Sequence, residues 1–151
     1  MDSFALDIYR DLFLRLSRGN HHGVFSNAKP LFILAIIDSI PNILNNNRIE
    51  ITNNYFIEMY KLQSKIYNQG KPTPIEKPLY HLKSEDFYQL VWKGNNIHKI
   101  VNSPSAKYLR ENLAYAKLDD ELWLLLQVQE NRDYLKQVII NRYLKNNINL
   151  P

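Results

Sequence analysis

Residues 28–41 read Ala28-Lys29-Pro30-Leu31-Phe32-Ile33-Leu34-Ala35-Ile36-Ile37-Asp38-Ser39-Ile40-Pro41. From residue 31 to residue 40 the stretch is apolar nearly all round. A helix with no polar face is the buried centre of a bundle. Pro30 suits a first helical turn, where no backbone N–H is needed. Ser26 or Asn27 can cap it, and Pro41 ends it. Its most apolar run, Leu31 to Ile37, is far too short to span a bilayer.

Helices are expected on both sides. Residues 3–17 place Ala5, Ile8, Tyr9, Leu12, Phe13 and Leu16 at helical spacing behind Ser3. Thr52 is expected to cap a third helix with a stripe of Tyr55, Met59, Leu62 and Ile66. Before it lie a polar turn over 42–47 and a short strand over 48–51. Residues 18–28 read as a loop rich in Gly and polar donors, and 70–74 as a stiff Pro-containing connection. Residues 79–82 and 87–92 read as a small hairpin closed by residues 94–96, and Ser103-Pro104 as the start of a helix with Leu109, Leu113 and Ala116 inward. Asp119 is expected to cap residues 121–127. A last helix over 132–144 carries Leu135, Val138, Ile139 and Arg142 on one side, and the tail after it frays. Trp92 and Trp123 read as core. The fold class is mainly α: a single-domain helical bundle with a small antiparallel β-hairpin, spanning residues 1–151 with its core at about 4–144.

Composition narrows the function. There are 151 residues, 45% of them hydrophobic, enough for one core. The chain has no Cys, which removes disulfides and thiolate chemistry. Asp2 and Asp7 stand where a signal peptide would be basic, so a cytoplasmic location and no membrane partner are expected. Net charge is +4, and residues 71–118 hold eight Lys/Arg against four Asp/Glu. This basic, aromatic middle suits a polyanion, while a solvated face basic by chance is the plainer reading.

Catalytic patterns are missing. No Asp or Glu is followed two places on by Lys, a spacing common in nucleases. His21, His22, His81 and His98 lack the i, i+4 spacing of a helical zinc site. Asp119-Asp120-Glu121 sits where a helix start favours negative charge. No catalytic residue, metal or cofactor is expected, and the chain reads as a non-enzyme.

Several pieces fall in a specific order. Arg18-Gly19-Asn20-His21-His22 precedes the Ala28–Asp38 stretch. Lys77-Pro78-Leu79-Tyr80-His81-Leu82-Lys83 and Phe87-Tyr88-Gln89-Leu90 follow. Leu109-Arg110-Glu111, Ala116-Lys117-Leu118-Asp119-Asp120-Glu121-Leu122-Trp123, Arg132 and Arg142-Tyr143-Leu144 complete it. This string resembles the DNA phosphorothioate sulfur-binding domain found ahead of His-Asn-His nuclease domains in type IV, modification-dependent restriction endonucleases of prokaryotes. The resemblance covers about residues 4–144. It implies a mainly helical fold with a small hairpin and a double-stranded DNA partner carrying a phosphorothioate linkage. It implies a targeting role in a restriction system, with any nuclease in a fused or partner domain.

The resemblance also implies a site. The family's sulfur pocket uses a proline ring at the start of the hairpin motif, matching Pro78. Lys77, Tyr80 and His81 border it; members often carry an aromatic residue where this chain has Lys77. Sulfur is larger and a poorer hydrogen-bond acceptor than oxygen, so an apolar cup suits it. A phosphate oxygen there loses water and gains no donor, at about 1–3 kcal/mol. Lys29, Lys77, Lys83 and Lys107 are expected to hold phosphates. Arg18, Asn20, His21, His22, Ser26 and Asn27 form a loop for base edges. Ser103 and Ser105 are expected near a phosphate at a helix start, although Ser103 is equally well a cap. The competing reading is a helical protein-interaction module with an incidental basic face.

Overall fold

The computed structural model describes residues 3–21, 23–67, 69–94 and 103–144. Its centre is the stretch read first. Helix α2, Ala28–Ser39, buries every residue from Pro30 onward except Asp38. Each fully buried Leu, Ile or Phe contributes about 1.5–3 kcal/mol relative to exposure. Helix α1, Ser3–Leu14, buries Ala5, Tyr9 and Phe13, with Leu16 just beyond its end. It stops three residues short of expectation because its last carbonyls find partners elsewhere. Tyr143 Oη donates to Phe13 O at 2.6 Å, and Arg142 Nε to Leu14 O at 3.2 Å.

Helix α3, Asn54–Ile66, packs on α2 with Phe56 and Tyr60 edge-on to Phe32, at 5.4 and 6.2 Å between ring centroids. This corrects the expected stripe. Tyr55, Leu62 and Ile66 face out, and Phe56, Tyr60, Gln63 and Ser64 face in. The sequence offers two stripes one residue apart, and the one carrying two stacked-in aromatics wins. Gln63 is tolerated inside because its Nε2 donates to Asp38 Oδ2 at 2.9 Å, while Lys136 Nζ donates to Oδ1 at 2.9 Å. The cap is Asn53, not Thr52: its Oδ1 accepts the Phe56 N–H at 3.1 Å.

The hairpin is not where it was expected. Helix α4, Glu76–His81, and a 3₁₀ turn, Leu82–Ser84, occupy the first supposed strand. Pro78 is the third residue of α4, where a missing N–H costs nothing. The local hairpin is shorter and earlier, within the residue 18–28 loop: β1, Asn20–His21, pairs antiparallel with β2, Val24–Phe25. Gly23 turns it at φ 82°. The larger sheet joins β3, Tyr88–Trp92, to β4, Leu113–Leu118, antiparallel, with an irregularity between Val91 and Trp92. The expected helix over 113–116 is therefore a strand. Helix α5, Ala106–Asn112, ends one residue before it and is capped by Ser105, whose Oγ accepts the Tyr108 N–H at 3.1 Å. Of the strand expected over 48–51, one bridge exists: Ile49 and Ala116 exchange both backbone bonds at 2.8 Å.

Asp119 precedes helix α6, Asp120–Leu125, but its side chain does not bond the helix N–H groups. Its Oδ2 accepts from Tyr9 Oη at 3.1 Å. Helix α7, Gln129–Ile139, starts three residues earlier than expected, and a π turn, Ile140–Leu144, follows. Asn131 and Arg132 donate to the carbonyls of Leu125, the last residue of α6, and of Leu126 just after it, at 2.9 and 2.8 Å. Leu135, Ile139 and Tyr143 are buried, whereas Arg142 is exposed. Trp92 and Trp123 are half-buried against the core. The mainly α class holds. Among the described residues no helix is long and apolar enough to cross a membrane. The expected fraying tail lies outside them.

Candidate nucleic-acid interface

The dipeptide Lys-Pro occurs twice, as Lys29-Pro30 and Lys77-Pro78, each at the second and third positions of a helix. Packing of α2 against α4 brings both lysines to one cleft. The cleft has a volume of about 460 Å³. One wall is Ser17, Arg18, Gly19, Ser26, Ala28 and Lys29; the other is Thr73, Lys77, Pro78, His81 and Ser84. Pro78 is buried at this surface, and His81, one turn further along α4, is exposed.

The cleft is electropositive. His81 is held below the ordinary imidazole value of 6.5, first by desolvation and then by the charges of Lys29, Lys77 and Lys83. Lys29 is nearly buried. Its Nζ donates to Ser84 Oγ and to Glu85 Oε2, both at 2.8 Å. The same Glu85 oxygen accepts the Ser17 N–H at 3.1 Å. Glu85 thus ties α1's exit, α2's start and the 3₁₀ turn together. Lys77 Nζ donates to Ser103 Oγ. Lys83 Nζ lies 4.9 Å above the Tyr80 ring.

Arg18 holds the β1–β2 hairpin. Its guanidinium sits between the rings of Phe25 and Tyr143, at 4.9 and 4.7 Å, and donates to Asn27 Oδ1 at 2.8 Å. Burial lowers its pKa from the usual guanidinium value, with Tyr143 raising it and Arg142 lowering it. Asn27 Nδ2 in turn donates to Gln69 Oε1 at 2.8 Å.

Of the residues expected in a site, Arg18, Ser26, Lys29, Lys77, Pro78 and His81 line this one cleft. Ser103 joins through Lys77. Tyr80 is buried behind it, edge-on to His81 at 5.2 Å. Asn20 Oδ1 accepts the Gly23 N–H at 2.9 Å inside the hairpin turn. Ser105 caps α5, Lys107 is exposed on that helix, and Lys83 is exposed beside Tyr80. His22, His98 and the side chain of His21 lie outside the described residues. Ser17, Thr73 and Ser84 were not anticipated. Thr73 had a signal, standing between Pro72 and Pro74 in the stiff connection. Among the described residues, no three His, Cys, Asp or Glu side chains group as metal ligands.

No protein-family model matches the chain, and no curated protein matches it. Solved structures do. The sulfur-binding domain of ScoMcrA, complexed with phosphorothioated DNA, aligns with a TM-score of 0.67. The alignment covers 95% of this chain and 89% of that one, at 14% identity. The chain has the sulfur-binding-domain fold. At that identity the likeness resides in the arrangement of helices and strands, and few side chains are shared. The sulfur-binding-domain fold here carries its Pro78 on a helix.

Proposed function

We propose that the chain binds duplex DNA carrying a phosphorothioate linkage, with the sulfur against the Pro78 ring. The observation that carries this reading is the cleft itself: a buried proline surface ringed by Lys29, Lys77 and His81. The fold shared with the ScoMcrA domain, whose DNA is phosphorothioated, supports it. Cations draw the backbone in, and the apolar ring penalises an oxygen that arrives without a donor. Lys77 and Lys83 meet flanking phosphates, and the β1–β2 hairpin reaches base edges. The chain targets modified DNA for a restriction system and leaves cutting to another domain.

The test is a gel shift on one duplex, with and without a single stereodefined sulfur. Preference for the sulfur duplex is expected; equal binding, or none, refutes the reading. Incubation of modified DNA with Mg²⁺ or Mn²⁺ should leave it uncut. A second reading, a protein-interaction module, is favoured by the outward stripe of α3, where Tyr55 is 79% and Leu62 44% exposed. Partner capture that is lost in Leu62→Glu, without any DNA binding, would select it.

A further inference from the structure

A second cleft, of about 610 Å³, lies beside the first. The two share Gly19, Ser26 and Ala28 from one wall of the first cleft and Thr73 from the other. The second cleft differs in chemistry. Its apolar lining is Phe25, Leu31 and Pro72, and Lys71 stands exposed at its margin.

Two side chains there bear on what it could hold. Ser64 is 1% exposed and its hydroxyl has no hydrogen-bond partner, yet it lines the cleft. A buried hydroxyl left without a partner is costly and marks a place where a polar ligand atom or water completes the bonding. Phe25 is 51% exposed at the same cleft. Its ring is braced by the Arg18 guanidinium at 4.9 Å, and its strand is paired to Asn20. A braced, half-exposed aromatic ring is a stacking platform.

We infer that this cleft receives an unpaired nucleobase. A planar ring with apolar faces and a polar edge is the chemistry that Phe25, Leu31 and Pro72 together with the Ser64 hydroxyl accept. Lys71 at the margin suits the phosphate attached to such a ring. The shared residues make the source a base next to the linkage held in the first cleft, extruded from the duplex; in this respect the inference rests on the DNA-binding reading. Extrusion is easiest for a base already mispaired, so the cleft sets a preference for weak pairing beside the bound linkage. A free nucleoside has the same ring and is the other source.

The experiment uses the full chain and phosphorothioate duplexes carrying 2-aminopurine on either side of the sulfur. Saturating protein should raise the fluorescence several-fold at one of the two positions, reporting an unstacked base. Ser64→Val, which alters the second cleft alone, should suppress the rise while the gel-shift preference for sulfur persists. A mismatch at that position should tighten binding by the wild-type chain and not by Ser64→Val. Sulfur-selective binding with no fluorescence rise at either position overturns this inference and leaves the proposed function standing. If DNA binding itself fails, free adenosine, guanosine, cytidine and thymidine are titrated in an NMR experiment. Shifts at Phe25, Leu31 and Ser64 that are absent in Ser64→Val assign the cleft to free nucleosides. No shift with any of them means water only and overturns the assignment.

Discussion

Removing the Glu85 carboxylate tests how the cleft is held. The Lys29 and Glu85 side chains are only 12% and 10% exposed, and their contact is 2.8 Å. Glu85→Ala strands a nearly buried ammonium. Breaking a buried pair from one side costs about 3–5 kcal/mol. Water reaches this pair at its edge, so the lower figure, about 3 kcal/mol, is the appropriate one. For a chain of this size that lowers Tm by roughly 6–12 °C. The loss includes the Ser17 N–H bond, which solvent replaces because Ser17 is exposed. Lys29→Met with Glu85→Leu removes both charges and should stay within about 1 kcal/mol of wild type. Urea and thermal melts followed by circular dichroism measure both variants. A second readout separates pairing from packing. Glu85→Gln leaves Lys29 without its counter-charge, so the slope of log affinity for DNA against log salt should steepen by about one contact. A Glu85→Ala protein as stable as wild type, or a double variant no better than the single one, refutes the argument.

Three other outcomes follow from the same cleft. Pro78→Ala should keep α4, since Ala is the better helix former, while the preference for sulfur over oxygen falls by about 1–3 kcal/mol, read by competitive gel shift. Because folding holds the His81 pKa below 6.5, the unfolded chain takes up that proton first as pH falls. Stability from this group is therefore full above pH 6.5 and declines as pH drops through that value toward the folded-state pKa; an NMR titration of the His81 ring should show the low midpoint, and bound DNA should raise it. Arg18→Lys should cost about 1–2 kcal/mol in urea unfolding, because an ammonium cannot stack between Phe25 and Tyr143 as a guanidinium does.

The parts legible in the sequence were those whose partners are close or whose pattern has one solution. Residues 31–37 have no polar side, so only a buried helix fits them. Lys-Pro before that run places Lys29 at its first turn, whereas the same dipeptide at 77–78 reads as the start of a hairpin and instead stands in the first turn of α4. Residues 113–118 were illegible for the opposite reason. Their Leu-Ala-Tyr-Ala pattern tolerates a helix, and what makes them a strand is pairing to β3 and to Ile49, both far away in the chain. Helix α3 carried two apolar stripes, and choosing between them required knowing that Phe32 faces Phe56 and Tyr60. In the site, Pro78 and His81 stood in one motif. The neutralisation of Lys29 by Glu85, 56 residues later, left no local trace.

The burial of α2 on all sides has a consequence for how the cleft moves. A helix with no solvent face has no local opening of its own, so its amides exchange with solvent chiefly when the chain unfolds as a whole. Lys29 and Ala28 ride on its first turn. The β1–β2 hairpin, with only two paired residues per strand, lends Asn20 and Phe25 to the second cleft. Such a hairpin opens at little cost. Any fitting to a guest in the second cleft is therefore borne by the hairpin, while Ala28 stays as fixed as the core.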